Sequence, residues 1–118
     1  MINDLESTWE AYTSAWKAVS SDEKRAIFAD CLDISCEYTD PHVITKSWDE
    51  LLTHMLHFHE NVPGGYFVTK SFMVHNNQSL VNWEMKNGEN IVIGEGFSYG
   101  KYHNNGKLIS MTGFFETN

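Results

Sequence analysis

The chain of 118 residues is 42% hydrophobic and 14% aromatic, and it carries a formal net charge of -8. Its length is typical of a single domain, which we place at residues 1–118, with enough buried surface to fold without a disulfide or structural metal. The excess of 16 acidic over 8 basic residues repels phosphate backbones and anionic lipid, so neither nucleic acid nor a membrane is expected as a partner.

Two helices are predicted at the amino-terminal end. Apolar residues recur there at three- and four-residue steps, which predicts an amphipathic helix over residues 5–19. The apolar positions of this helix are Leu5, Trp9, Tyr12, Ala15, Trp16 and Val19. Ser20-Ser21-Asp22 ends the first helix and caps a second one over residues 23–32.

A strand and a third helix follow. The strand is predicted over residues 34–39, and by alternation Cys36, Tyr38 and Asp40 share one of its faces before Pro41 breaks it. Ser47 and Glu50 have the spacing of a capping box, which predicts a helix over residues 48–60. The buried stripe of this helix is Leu51, Leu52, Met55, Leu56 and Phe58, and Pro63-Gly64-Gly65 ends it.

Four strands complete the chain, at residues 66–75, 80–86, 91–102 and 107–115. Asn-Asn and Asn-Gly pairs separate them, and these residues tolerate the positive φ of tight hairpins. The order of elements predicts an α+β fold, a cone-shaped barrel in which a strongly bent, mixed but mostly antiparallel sheet wraps around the three helices. Glycines within the third of these strands would allow the bending.

Asp40 is the leading candidate for chemistry, because it lies at the end of a strand at the mouth of the predicted pocket. We hypothesise that it is a proton-shuttling base whose pKa is raised by Tyr38 and neighbouring aromatics. The alternative is a structural Asp that accepts nearby backbone N–H groups, as Asp before Pro often does.

Aromatic and flexible side chains on inward faces are candidates for lining the pocket, although each is also a plausible core residue. Tyr12 is either a core aromatic or a donor to a ligand, because a buried phenol needs a partner. The candidate ligand-binding residues are Trp16, Tyr38, Met55, Phe58, Trp83, Met111, Gly113 and Phe115.

The sequence predicts no metal and no cofactor. His54 and His57 lie one turn apart on the third helix and His59 points elsewhere, whereas zinc needs three or four convergent ligands. These histidines are therefore expected to be at the surface or partly buried. No phosphate-binding loop, dinucleotide fingerprint or metalloprotease motif occurs.

The expected cellular compartment is inferred from the amino-terminal segment, the apolar runs and the cysteines. The amino-terminal segment has no basic and apolar signal pattern, and no apolar run approaches the length that spans a membrane. Cys31 and Cys36 do not form a CxxC pair and are expected to be reduced and buried. A cytoplasmic protein is expected.

The chain resembles the nuclear-transport-factor-2-like superfamily, which includes SnoaL-like polyketide cyclases and Δ5-3-ketosteroid isomerases. Five segments carry the resemblance, and together they cover nearly the whole sequence. They are Tyr38-Thr39-Asp40-Pro41, Ser47-Trp48-Asp49-Glu50-Leu51, Pro63-Gly64-Gly65-Tyr66-Phe67, Trp83-Glu84 and the run from Gly106 to Phe115. The resemblance implies the fold more firmly than the activity, because this fold hosts many functions.

The isomerase resemblance implies roles for particular residues. Asp40 matches the general base, and Tyr12 matches the oxyanion donor of the first helix. Ser98 stands where the isomerases have a protonated Asp. Ketosteroid isomerase is the standard example of such a carboxylic acid, which is kept neutral so that it can donate a hydrogen bond. This position departs from the isomerase pattern, because a Ser hydroxyl can also donate a hydrogen bond but is a much weaker acid than a carboxylic acid.

Two hypotheses of different class follow from these observations. The first is a cofactor-independent isomerase, cyclase or dehydratase that moves protons on a small hydrophobic carbonyl compound, with Asp40 as base and Tyr12 and Ser98 as donors. The second is a ligand-binding or dimerisation module without chemistry. Relatives commonly pair through the outer sheet face, so a homodimer through Phe97, Tyr99 and Phe114 is expected.

Overall fold

The computed structural model describes residues 4–117, which form three helices and one six-stranded sheet. The helices are α1 (Leu5–Ala15), α2 (Ser21–Cys31) and α3 (Trp48–Asn61). The strands are β1 (Leu32–Asp40), β2 (Val43–Thr45), β3 (Tyr66–His75), β4 (Gln78–Lys86), β5 (Val92–Tyr102) and β6 (Leu108–Phe114). The predicted α+β class with three helices is confirmed.

The sheet has the strand order β2-β1-β6-β5-β4-β3. Only β1 and β6 pair in parallel; the other neighbours are antiparallel, which confirms the mixed and mostly antiparallel character. Irregular register interrupts four of the five pairings, and such bulges bend and twist a sheet. The sheet is curved as predicted. It does not close into a barrel, because β2 and β3 remain unpaired edges at its two ends.

Local capping signals place the starts of the helices. The hydroxyl of Ser20 accepts from the N–H of Glu23, and the Glu23 carboxylate accepts in return from the N–H of Ser20, so α2 begins with a complete capping box. Ser47 caps α3 in the same way through the N–H of Glu50. The Glu50 side chain accepts from the N–H of Lys46 instead of closing the box on Ser47.

The first helix is shorter than predicted. It ends at Ala15, where the N–H groups of Trp16 and Lys17 bond to carbonyls three residues back and tighten the last turn. Trp16 is still buried, but Val19 is 79% exposed and does not belong to the apolar face. The prediction of a helix to residue 19 is therefore wrong at its end.

The short strand β2 was not predicted from the sequence. It pairs with the end of β1, with Asp40 opposite Val43. A single carboxylate oxygen satisfies two N–H groups of this turn, because Oδ1 of Asp40 accepts from the N–H groups of His42 (2.8 Å) and Val43 (3.1 Å). The break at Pro41 is thus the turn of a tight hairpin.

The register of three neighbouring strands brings three candidate site residues side by side. Tyr38 of β1 lies opposite Met111 of β6, so Asp40 reaches the level of Gly113. Gly113 in turn pairs with Ser98 of β5. Asp40 and Ser98 therefore flank Gly113 across the sheet.

The core lies between the helices and the face of the sheet that they cover. Its largest fully buried apolar side chains are Trp9, Phe28, Leu32, Met55, Val81, Leu108 and Met111. Cys31 and Cys36 are buried free thiols, and burial raises the pKa of both to about 12. Within residues 4–117, no helix is long and apolar enough to cross a membrane.

Candidate functional site

A cavity of about 400 Å³ lies between the helices and the sheet. Most of the predicted site residues line it, namely Tyr12, Trp16, Tyr38, Asp40, Phe58, Trp83, Ser98, Gly113 and Phe115. Met55 and Met111 do not line it, because they are 0% and 1% exposed and pack into the core behind the wall. Period-two and helical patterns could not separate core from cavity for these two residues.

Asp40 faces the cavity with a side chain that is only 3% exposed. Its two oxygens have separate tasks. Oδ1 accepts from the backbone of the β1–β2 turn, and Oδ2 accepts from the hydroxyl of Tyr38 at 2.6 Å and lies 3.1 Å from Nε2 of His54. Asp40 therefore combines the two roles that we treated as alternatives: it accepts backbone N–H groups of the turn, and it lies at the cavity.

The pKa of Asp40 shifts in the direction opposite to our expectation. Burial raises the pKa of this carboxyl, but the hydrogen bonds from His54, Tyr38 and the N–H of His42 outweigh it and hold the pKa below its ordinary value. The aromatic neighbour that we expected to raise the pKa, Tyr38, is a donor and lowers it. Asp40 is thus a stabilised carboxylate and not a base with an elevated pKa.

His54 is the residue that completes this arrangement. Its ring lies 5.7 Å from those of both Trp16 and Tyr38, and its side chain is 21% exposed at the cavity wall. For Nε2 to donate to the Asp40 carboxylate, a neutral imidazole must carry its proton there, which leaves the lone pair on Nδ1. Among the described residues Nδ1 has no hydrogen-bond partner.

Tyr12 and Trp16 are coupled one turn apart on the α1 side of the cavity. The indole N–H of Trp16 donates to the Tyr12 hydroxyl at 3.0 Å. Burial raises the pKa of Tyr12 well above its ordinary value, so the phenol keeps its proton. Because its oxygen already accepts from Trp16, the Tyr12 hydroxyl proton is available to an oxygen of a ligand.

Ser98 has the same relation to Trp83 that Tyr12 has to Trp16. The indole N–H of Trp83 donates to the Ser98 hydroxyl at 2.9 Å, which leaves the Ser98 proton free to be donated. Gly113 keeps the space beside this hydroxyl open: a Cβ there would lie 3.9 Å from Oγ of Ser98 and 3.5 Å from Cβ of Asp40. The absence of a side chain at Gly113 therefore joins the two polar groups in one space.

The rest of the wall is aromatic. The Phe67 ring stacks on Phe58 with centroids 5.2 Å apart, and it meets Trp16 and Trp83 edge-on at 5.4 and 5.1 Å. Such contacts are favoured by the quadrupoles of the rings and hold them in fixed orientations. The wall provides apolar surface for a ligand, with the polar groups confined to a few points.

Charge in the cavity is acidic. The charged lining residues are Asp40, Glu95 and Glu116, with His42, His54 and His57 as titratable neighbours, and the described lining contains no Lys or Arg. Within residues 4–117 no group of three or more His, Cys, Asp or Glu side chains is arranged to hold a metal ion. The arrangement suits an uncharged ligand better than an anion.

His54 and Phe67 are the main site residues that sequence reasoning missed. A signal for His54 was present, because it falls one turn before Phe58 and one turn after Leu51 on the stripe of α3 that faces inward. For Phe67 the signal was only its place in an alternating strand, which does not tell a cavity from a core.

No protein-family model and no curated protein matches the chain. Solved structures do resemble it. A suggested isomerase of the SnoaL-like family from Agrobacterium tumefaciens str. C58 superposes with a TM-score of 0.87 at 15% identity, over 98% of this chain and 100% of that one. A suggested SnoaL-like polyketide cyclase from Jannaschia sp. CCS1 superposes with a TM-score of 0.76 at 12% identity, over 97% of this chain and 85% of the other.

A further similar structure is a nuclear-transport-factor-2-like protein of unknown function from Exiguobacterium sp. 255-15, with a TM-score of 0.74 at 8% identity over 94% of this chain and 99% of that one. Likenesses at such low identity define the fold. The chain has the nuclear-transport-factor-2-like fold, and the resemblance carried by its sequence motifs is confirmed at that level.

Proposed function

We propose that the protein is a cofactor-independent enzyme that moves protons on a small, uncharged, hydrophobic carbonyl compound, as an isomerase, cyclase or dehydratase. The contact between Asp40 and His54 inside the aromatic cavity is the observation that carries this proposal. The activities suggested for the similar SnoaL-like structures point the same way.

In the proposed step, Nδ1 of His54 removes a proton from the carbon next to the carbonyl group. The C–H bond breaks, and its electron pair moves through the carbon framework onto the carbonyl oxygen to give an enolate. Asp40 stays ionised and balances the imidazolium, as a carboxylate does when it orients a catalytic histidine. Return of the proton to a different carbon completes an isomerisation.

The hydroxyls of Tyr12 and Ser98 are the proposed donors to the enolate oxygen. Each already accepts an indole N–H, from Trp16 and Trp83 respectively, so each has its own proton to give. Donors held in place before the reaction stabilise developing charge most effectively, because little reorganisation is needed. This arrangement replaces our first assignment of Asp40 as the base: all its acceptor positions are engaged, and His54 has the unoccupied nitrogen.

Exchange of carbon-bound hydrogen tests the proposal without knowledge of the natural substrate. The protein is incubated in heavy water with 2-tetralone and cyclohexanone, and deuterium incorporation is followed by NMR. We expect exchange to be accelerated by the wild type and not by His54→Gln. His57→Gln is the matched control, because His57 lies one turn further along α3 and does not contact Asp40. Equal rates with His54→Gln and wild type would contradict the proposal.

The alternative is a ligand-binding or dimerisation module without chemistry. It is favoured by the low pKa of Asp40 and by the full use of its oxygens within the fold. A module of this kind would bind 2-tetralone, and the bound ketone would quench the fluorescence of Trp16 and Trp83. The protein would not accelerate exchange of the protons of the ketone.

We propose further that the protein is a homodimer through the outer face of the sheet. Phe97 and Phe114 are paired across β5 and β6 and are 50% and 58% exposed. Met73 of β3 and Leu80 of β4, which pair with each other, are also exposed. Exposed apolar patches of this kind favour association. Sedimentation at micromolar concentration is expected to show a dimer, and Phe97→Lys a monomer. Wild type that sediments only as a monomer would exclude the proposal.

A further inference from the structure

A buried lysine lies outside the cavity and joins all three helices. Lys24 of α2 is 0% exposed. Its ammonium group donates to the carbonyl of Ala15 at 2.6 Å and to that of Ala18, and it lies 2.7 Å from Nε2 of His59. The three hydrogens of an ammonium group thus meet three acceptors.

The carbonyl of Ala15 belongs to the last turn of α1 and that of Ala18 to the turn that follows, where the carbonyls at a helix end have no helical partner. The last turn of α1 contains no basic residue, and Lys24 takes that place from the neighbouring helix. A cation is favourable there because the carbonyl end of a helix carries partial negative charge. Lys24 is therefore the cap of α1.

The third contact connects this cap to the opposite wall of the cavity. Ala15 directly precedes Trp16, whose indole holds the Tyr12 hydroxyl. His59 directly follows Phe58, with the two rings 5.5 Å apart. Lys24 and His59 thus link the turn that carries Trp16 to the turn of α3 that carries Phe58.

We propose that Lys24 and His59 are positioning residues for the cavity: their contact holds the end of α1 against α3, and protonation of His59 releases it. A neutral His59 accepts from Lys24 through Nε2. A protonated His59 has no lone pair to offer, and it would place a second cation against the ammonium group. The wall formed by Trp16 and Tyr12 would then loosen.

The charges around the contact agree with this direction. Burial, and then the charge of Lys24, lower the pKa of His59, with partial opposition from the carbonyl of Ala18. Burial lowers the pKa of Lys24 to about 8, against the attraction of Glu23. Besides Lys24 and His59 themselves, the groups that face the contact are therefore Glu23 on α2 and the carbonyls of Ala15 and Ala18.

The sign of the linkage follows from the lowered pKa of His59. The released form binds a proton more readily than the closed form, so the closed form is fully favoured above the ordinary histidine pKa of 6.5 and loses stability as pH falls below it. Each unit between the two pKa values weakens the closed form by about tenfold at low pH.

The test is solvent exchange of the Trp16 indole N–H, measured by NMR in the full chain between about pH 5 and 8 and corrected for the intrinsic pH dependence of exchange. We expect protection in the wild type to fall on acidification, because the lowered pKa of His59 makes the closed form lose stability in acid. His59→Gln should keep its protection on acidification, because the Gln carbonyl oxygen accepts from the Lys24 ammonium group and is not itself protonated in this range. No substrate is involved, so failure of the proposed chemistry would leave this result unaffected.

Two controls separate the proposal from simpler causes. Lys107 also caps a helix, donating to Ala29 of α2 at 3.0 Å, but without a histidine. Lys107→Met should retain the acid loss at Trp16. His54 also lies close to Trp16 and has to be separated from His59 as a cause of the acid loss. If His59 is the cause, His54→Gln should retain the loss.

Three results would overturn the proposal: protection in the wild type that does not change with pH, an acid loss that survives in His59→Gln, or an acid loss that disappears in His54→Gln. Lys24→Met adds a direct measurement, since the pKa of His59 should rise when its cationic neighbour is removed. If that variant does not fold, His59→Gln still decides, because it leaves Lys24 in place.

Discussion

Nε2 of His54 lies 3.1 Å from Oδ2 of Asp40, although the two residues are 14 positions apart and belong to a helix and a strand. The contact forms because α3 crosses the end of β1, where Asp40 closes the turn to β2. The carboxylate also accepts from the hydroxyl of Tyr38 and from the N–H groups of His42 and Val43. It therefore holds the imidazole of His54 in place at the cavity wall. The pair, and not Asp40 alone, is therefore the unit that mutation should test.

The first prediction concerns the tautomer of His54. In Asp40→Asn the side-chain amide can donate to Nε2, which would move the imidazole proton to Nδ1 and remove the proposed base. We expect the deuterium exchange rate of a ketone to fall by about a hundred- to ten-thousand-fold, the usual contribution of positioned proton transfer. Initial rates by NMR measure it. Asp33→Asn is the matched control, because Asp33 faces His103 at 3.4 Å on the surface; equal losses in both variants would exclude a specific role for Asp40.

The second prediction is a dependence of stability on pH. The folded pKa of Asp40 is below its ordinary value of 3.8, so its contribution to stability is complete above that pH and is lost as pH falls through the folded pKa. Urea unfolding should show wild type more stable than Asp40→Asn at neutral pH, with the difference shrinking in acid. Subtraction of the variant is needed because Asp4 and Asp33 also have lowered pKa values. A difference that grows in acid would contradict the ionised state assigned to Asp40.

Most of the fold could be predicted because its signals are local. Ser20 and Ser47 mark helix starts through hydrogen bonds three residues away, and the positive φ of Asn76 and Asn77 marks a hairpin. The strand β2 was missed because three residues carry no period of their own, and its existence depends on pairing with β1.

The site could be predicted only in part, for a related reason. Asp40 and Tyr38 share a strand, and alternation places them on one face. The contact of Asp40 with His54 depends on how α3 packs over the sheet, which no local pattern encodes. The direction of the Asp40 pKa was predicted wrongly because we expected burial and the aromatic neighbours to dominate. Tyr38 and the backbone N–H groups act as donors instead, and the contact with His54, which depends on tertiary packing, was not visible in the sequence.

The third prediction concerns Gly113, which separates Asp40 from Ser98. A Cβ at this position would make ordinary contacts of 3.5 Å or more, so Gly113→Ala should fold and gain up to about 1 kcal/mol from a less flexible unfolded chain. The methyl group would occupy the space between the polar groups and weaken binding of 2-tetralone by about tenfold or more. Fluorescence titration and urea unfolding check the two effects.

Gly96→Ala is the contrasting variant. There a Cβ would lie 2.6 Å from the carbonyl oxygen of Phe114 and 2.6 Å from the Trp83 ring, so we expect it to destabilise the fold by about 1–3 kcal/mol. Unchanged binding in Gly113→Ala would show that ligands do not enter the space beside Asp40.

The last prediction concerns Ser98, where the chain departs from the isomerase pattern. Ser98→Ala removes the proposed donor to the enolate oxygen and leaves the Trp83 indole N–H without its acceptor. We expect a stability loss of about 1–3 kcal/mol and an exchange rate lower by about a hundred- to a thousand-fold. Ser98→Thr keeps the hydroxyl and should restore most of the rate. Ser79→Ala is the control, because Ser79 also has a hydrogen-bonded hydroxyl, 2.9 Å from that of Tyr102, but lies outside the cavity; it should lower stability and leave the rate unchanged. A rate that follows stability in all three variants would show that Ser98 supports the fold and not the chemistry.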